Sequence, residues 1–276
     1  MTLAISDRRR ELGRYLRARR ARLQPTDVGL SHVGGHRRVA GLRREEVAAL
    51  AGVGVTWYTM LENGSAAGAS QTTLNAVARA LHLNPDETEY LLGLAEDGST
   101  AAPQPRPERR TLTTLASIEW APAYVCTTQW MVLAWNRAMA LVWGIEAPGG
   151  EPFNIVARMF RDPAVRAMHG DRFEPFARAL VAMVRTGAGR RIDDPMYREL
   201  CESLNDDPVF RAAWDAYDVA APRGSIPTLV QSAAVGSFAY EALTLALPDD
   251  AGHFIVVQVP DEASAARLRT VLAEPG

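Results

Sequence analysis

The chain reads as two domains, an all-α domain at the N-terminus and an α+β domain with an antiparallel sheet behind it. Three observations predict this. Arg43 to Gly64 contains two short amphipathic helices joined by a glycine-containing turn, a helix-turn-helix pattern. Glu96 to Arg110 is rich in Gly, Ser and Thr and carries alternating prolines at Pro103, Pro105 and Pro107, the composition of an extended linker. Beyond it, short apolar runs bounded by turn residues alternate with helical periodicity, as expected for strands and helices around one core. These features place the boundaries at 1–95, 96–110 and 111–276, and 276 residues suffice for two cores.

In the N-terminal domain the first helix is predicted from Asp7 to Leu23, with Leu12, Leu16 and Leu23 facing inward. Arg20 falls on that same face, four residues after Leu16. A buried arginine must be paired, and Glu62, beside core residue Leu61, is its natural partner; the alternative is that Arg20 snorkels to solvent. Gln24 to Ala40, broken by Pro25, Gly29, Gly34 and Gly35, is a loop insert. Its His32 and His36 read as solvent-facing or phosphate-contacting side chains, not as metal ligands.

In the helix-turn-helix, Val47, Leu50 and Ala51 share one face of the first helix, and Val55, Tyr58 and Leu61 share one face of the second. Gly52 sits where the chain reverses, in a backbone region that glycine enters at little cost. A helix from Ser70 with Leu74, Val77 and Leu81 follows. Asn84-Pro85-Asp86-Glu87 is a capping box that starts a fifth helix through Leu94.

In the C-terminal domain, Tyr124–Cys126 and Met131–Ala134 read as strands around a Thr-Thr-Gln-Trp turn, and Asn136 caps a helix through Trp143. Helices are expected over Phe153–Phe160, Pro163–Thr186 with a break, and Pro195–Tyr217. Strands over Ile226–Ala233, Gly236–Leu247 and His253–Val259 precede a last helix, Glu262–Leu272. The sheet is expected to carry its helices on one side.

Charge is unevenly placed. Residues 1–44 hold twelve arginines against three acids, a net +9, whereas the remainder carries −11. A basic head on an acidic body suggests that the head alone meets nucleic acid. The cluster His36-Arg37-Arg38, with Arg43 and Arg44, makes a basic arm able to neutralise phosphates; a charge run is usually a solvated face, but its position directly before the helix-turn-helix gives the phosphate reading equal standing. All 30 basic residues are arginine, for which codon bias is the plainer explanation.

Other function classes find little support. No apolar run approaches the ~18 residues of a membrane span, and Arg8-Arg9-Arg10 precedes no signal-peptide core, so a cytoplasmic protein is expected. Cys126 and Cys201 lack the spacing of a disulfide framework or a zinc site. There is no phosphate-binding glycine loop, nucleophile elbow or helical histidine pair. Asp193-Asp194 and Asp206-Asp207 each precede a proline and read as helix caps. The expectation is therefore a protein that is not an enzyme and carries no cofactor or metal.

The Leu-Glu-Asn-Gly ending at Gly64 resembles the closing signature of lambda-repressor-like (XRE) helix-turn-helix domains. Leu16–Leu23, Gly41–Val53 and Trp57–Glu62 look like the MmyB-like branch of actinobacterial XRE regulators, which has an insert after the first helix and a PAS-like ligand-binding domain behind it. The strand, turn, strand and helix opened by Trp135-Asn136 are similar to the start of a PAS domain.

The resemblance implies a sequence-specific transcription regulator acting on double-stranded DNA as a homodimer, with a lipophilic, fatty-acid-like effector. By motif position Val55, Thr56 and Met60 face the bases and Thr59 lies beside them; Arg44 reaches the backbone or a base edge, while Arg43, Arg37 and Arg38 serve the backbone. Family members often have arginine where Met60 stands and a basic loop where this chain has Ser65–Ala69, so positive charge near the DNA is reduced. An arginine-glutamate pair like Arg20 and Glu62 ties the first helix to the reading helix in this class. The implied pocket draws on Tyr124, Trp135, Asn136, Phe153, Arg158, Met159, Phe160 and Trp214, with Arg158 or Asn136 anchoring the polar end of the effector. Ordinary core packing is the plainer role for any one of the aromatic residues. A C-terminal domain that only dimerises, or that binds a protein partner, is the open alternative.

Overall fold

The computed structural model describes residues 8–30, 41–66, 68–96, 106–189, 191–220, 225–247 and 252–273. They fall into two units, each considered by itself.

The first unit comprises Met1–Thr100, Val181–Asn205 and Ala212–Pro222. Its N-terminal helices are α1 (Arg8–Arg22), α2 (Arg44–Ala51), α3 (Val55–Glu62), α4 (Gln71–Ala80) and α5 (Pro85–Ala95). Caps set their starts. Ser70 Oγ accepts from the Thr73 amide at 3.1 Å, and Asn84 and Glu87 exchange side-chain-to-backbone bonds at 2.9 Å each. Gly52 closes α2 at φ +66°, the left-handed conformation expected of it. The core gathers Leu12, Leu16, Val47, Tyr58, Leu74 and Leu91. Leu50 departs from its expected inward face and is 40% exposed, because Val47 and Ala48 form the buried side of α2.

This unit also draws on later sequence: the end of α10 (Phe173–Ala188), all of α11 (Pro195–Leu204), and Trp214 and Tyr217. The sequence-based boundary at 96–110 follows chain order, whereas contacts group 181–205 and 212–222 with the N-terminal helices.

The second unit is built on a sheet of six strands among the described residues, all neighbours antiparallel, in the order β3-β2-β1-β6-β5-β4. The strands are β1 (Ala123–Thr127), β2 (Met131–Trp135), β3 (Phe153–Asn154), β4 (Thr228–Ser232), β5 (Gly236–Ala246) and β6 (His253–Pro260). Strand alternation sends Val125, Ile255 and Val257 to one face, where Leu115 of α6 (Arg109–Ala116) packs on them. Tyr124, Val256 and Tyr240 point to the other face. There Trp143 of α7 (Arg137–Trp143) meets Tyr240 edge-on at 6.2 Å and donates to Gln258 Oε1 at 2.7 Å.

Helical cover is thus present on both faces, where one was expected, because α6 occupies what was read as linker and domain start. Phe153 and Asn154 pair with β2 as a short strand, so the helix expected from Phe153 begins only at Ile155 (α8, Ile155–Arg161). The break expected in Pro163–Thr186 separates α9 (Pro163–His169) from α10. Pro195–Tyr217 is likewise two helices, α11 and α12 (Pro208–Asp215), since Asp207 Oδ1 caps a new start by accepting from the Val209 and Phe210 amides. The chain closes with α13 (Glu262–Ala273).

Candidate nucleic-acid interface and ligand cavity

The second helix of the helix-turn-helix, α3, is buried along Tyr58, Leu61 and Glu62 and open along Val55, Thr56 and Met60. Val55 and Met60 are 40% and 42% exposed. Thr59 is half-buried beside them, and Arg43, the residue before α2, is exposed.

The position of α3 is fixed by Glu62. Its carboxylate accepts from Arg20 Nε at 2.6 Å on one oxygen and from Arg44 Nε at 2.7 Å on the other, while Arg20 Nη1 donates to the Leu42 carbonyl at 2.6 Å. Burial pushes the Glu62 carboxyl up, but the two arginines outweigh it and hold the group below the usual carboxylate range. Arg20 and Glu62 are buried, so neither snorkels. Arg44 spends its Nε edge on Glu62 and is therefore half structural; its side chain is still 37% exposed.

Several spaces open in the second unit, among them one of about 740 Å³ beside Thr228, Tyr240 and Val259 and one of about 340 Å³ beside Phe153, Arg158 and Arg161; two others differ sharply in size. A cavity of about 850 Å³ lies among Leu112 and Leu115 of α6, Leu133 and Trp135 of β2, Pro152, and Leu272 of α13. Arg106, Glu119 and Arg137 are the charged residues on its wall. The volume falls within the range of small-molecule sites, ~300–1,000 Å³. Near Trp143, Phe153, Met159 and Val165 there is a second space of only about 10 Å³. That is about the volume of one water and holds no larger guest without rearrangement.

Residues 11–91 match the family model described as a helix-turn-helix domain. Residues 107–271, more than half of the chain, match that of the MmyB-like transcription regulator ligand binding domain. The chain belongs to that family. It is a DNA-binding transcriptional regulator with a C-terminal ligand-binding domain. None of the curated proteins compared with it matches. Among the described residues, no helix is long and apolar enough to cross a membrane, and no group of His, Cys, Asp and Glu is arranged to hold a metal.

The regulator does not bring its expected pocket residues together. Trp135 and Asn136 line the large cavity, whereas Phe153, Arg158 and Met159 line the small space. Tyr124 is buried on the sheet face near Tyr240, and Phe160 packs edge-on against Phe173 and Phe210 at 5.9 and 5.3 Å. Trp214 belongs to the helical unit, its ring 4.0 Å from the Arg185 guanidinium.

The two anchor candidates differ. Asn136 is wholly engaged: Oδ1 accepts from the Ala123 and Met139 amides at 3.0 and 2.9 Å, and Nδ2 donates to the Ile118 and Ala121 carbonyls. Its amide is spent on shaping the strand-to-helix corner. Arg158 pairs with Asp162 at 3.0 Å, covers the Phe153 ring at 5.5 Å, and keeps a buried Nε that has no hydrogen-bond partner. Arg37 and Arg38, like His32 and His36, lie outside the described residues.

Sequence reasoning overlooked Leu112, Leu115, Leu133, Arg106, Arg137 and Leu272 as cavity residues. Leu112 and Leu115 share one side of α6 at helical spacing, a signal that was present in the sequence. Leu272 comes from the far end of the chain and leaves no local trace.

Proposed function

We propose that the regulator reads DNA with Val55, Thr56 and Met60 of α3, with Thr59 beside them and Arg43, Arg44, Arg37 and Arg38 serving the backbone. Its C-terminal domain takes a lipophilic, fatty-acid-like effector into the cavity of about 850 Å³. That cavity is the observation that carries the reading: most of its wall is apolar, and Arg106 and Arg137 stand on it beside Glu119, with Arg137 Nη1 donating to the Leu272 carbonyl at 3.2 Å. An acyl chain gains ~0.8 kcal/mol for each methylene removed from water, so chain length alone supplies affinity.

The test is native mass spectrometry of the purified full chain together with thermal shifts across saturated fatty acids of graded length. The expected result is co-purified lipid, or a rise in Tm that grows with chain length and is abolished by Leu133→Trp, which fills the cavity. No lipid and no shift would overturn the reading. A shift abolished by Met159→Trp instead would move the effector to the space beside Arg158.

A second reading, a C-terminal domain used only for dimerisation, is favoured by Leu243, Leu245 and Val259. These neighbours on one face of β5 and β6 are 51%, 38% and 36% exposed. A monomer in sedimentation equilibrium at micromolar concentration would remove that reading and the homodimer with it.

A further inference from the structure

Val181–Asn205 and Ala212–Pro222 lie within the span matched by the ligand-binding family, yet they fold as part of the unit that carries the helix-turn-helix. The join is built on Arg185, in the last turn of α10, whose side chain has no exposure at all. Arg185 Nη1 donates to Glu11 Oε1 at 2.6 Å, and the Tyr90 hydroxyl donates to the same oxygen at 3.3 Å. Nη2 donates to the Trp214 carbonyl. The guanidinium lies 4.0 Å from the Trp214 ring centroid and 4.4 Å from that of Tyr217. This planar cation thus meets a carboxylate with one terminal nitrogen and a backbone carbonyl with the other while two aromatic rings cover it, so its position is set by directional bonds as well as by packing.

Glu11 sits in α1, and the opposite flank of α1 holds the end of α3. At about 100° per residue, Gly13 and Arg20 lie roughly 180–200° around the helix from Glu11. Gly13 backs onto the Glu62 carbonyl, where an added β-carbon would stand 2.1 Å away, and Arg20 grips the Glu62 carboxylate. Helix α1 is therefore a strut with Arg185 on one flank and the reading helix on the other.

We infer that Arg185 is a positioning residue for the DNA-reading helix α3, acting through Glu11 and α1. The part of the chain matched by the ligand-binding family thereby supplies a group that sets the angle at which α3 meets DNA. This rests on α3 being the reading helix.

The experiment uses the full chain, a duplex that the wild type recovers from a random pool, and an unrelated duplex of equal length. In Arg185→Met, shown folded by circular dichroism, the ratio of specific to unrelated affinity is expected to fall about tenfold, while unrelated binding changes less than about twofold because phosphate contacts are untouched. Arg185→Lys, which keeps the charge but lacks separate nitrogens for Glu11 and the Trp214 carbonyl, should fall between. An unchanged ratio in folded Arg185→Met overturns the assignment. If that variant does not fold, Glu11→Gln is judged by the same ratio. Should the wild type recover no duplex, the reading of α3 is at fault, and the positioning role is judged by hydrogen exchange. Faster exchange in α3 with α4 unaltered supports it, and unchanged α3 exchange overturns it.

Discussion

Gly13 brings the first helix so close to Glu62 that a β-carbon at that position would stand 2.1 Å from the Glu62 carbonyl oxygen. A mid-helix glycine replaced by alanine ordinarily gains ~0.5–1 kcal/mol. Here the sign reverses, since overpacking against backbone costs about 1–3 kcal/mol and backbone cannot swing aside. Gly13→Ala is expected to lower the thermal midpoint by several degrees, read by circular dichroism. A midpoint at or above that of the wild type would contradict so close an approach.

The carboxylate of Glu62 should also make the helical unit acid-sensitive. Its folded-state affinity for protons is depressed by Arg20 and Arg44 in spite of burial. The stability it contributes is therefore fully present above the unfolded-state value of 4.5 and is lost as pH falls through the lower folded value. Urea titrations from pH 7 to pH 3 are expected to show a steeper loss in wild type than in Glu62→Gln. At pH 7, Glu62→Ala leaves two arginines without their partner and is expected to cost on the order of 3–5 kcal/mol.

Thr56 and Arg44 separate reading from support. Thr56 is exposed, so Thr56→Ala should leave stability within ~0.5 kcal/mol of wild type. The same change is expected to weaken specific DNA binding by about 1 kcal/mol, roughly fivefold, in an anisotropy titration. Arg44→Ala should lose both quantities, because its Nε bond to Glu62 at 2.7 Å is lost with the side chain. An Arg44→Ala protein as stable as wild type would make that bond energetically empty.

The thiols should be inert. Burial pushes both Cys126 and Cys201 up to about 12, and both side chains are enclosed. Thiolate is the reactive form, so a disulfide reagent at pH 8 should leave the native protein unlabelled and modify both residues once urea unfolds it. Rapid labelling of the native state would contradict their enclosure.

Local chemistry made much of this fold readable in the sequence. Gly52, the Asn84 to Glu87 box and Asn136 each announce a helix boundary through a bond made within a few residues. The pairing of Arg20 with Glu62 follows from one charge on an apolar face. Features that depend on distant partners and leave no charge or period of their own were not readable. Helix α6 contains only two leucines among its threonines and arginines, and it gains its meaning from strands β1 and β6. The two residues of β3 are too few for a period and exist because β2 offers an edge. Trp214 looked like a pocket aromatic, yet its ring covers Arg185, whose own partner Glu11 lies 174 residues earlier.

That last pairing bears on how the protein tolerates being cut. A fragment ending at residue 95 would keep Glu11 and Tyr90 but discard Arg185, Trp214 and Tyr217, stranding an anion on a flank shaped to be dry. Proteolytic nicking anywhere between the head and residue 222 need not release a free-standing DNA-binding piece; the severed chains would stay clasped, much as two halves of a buckle do.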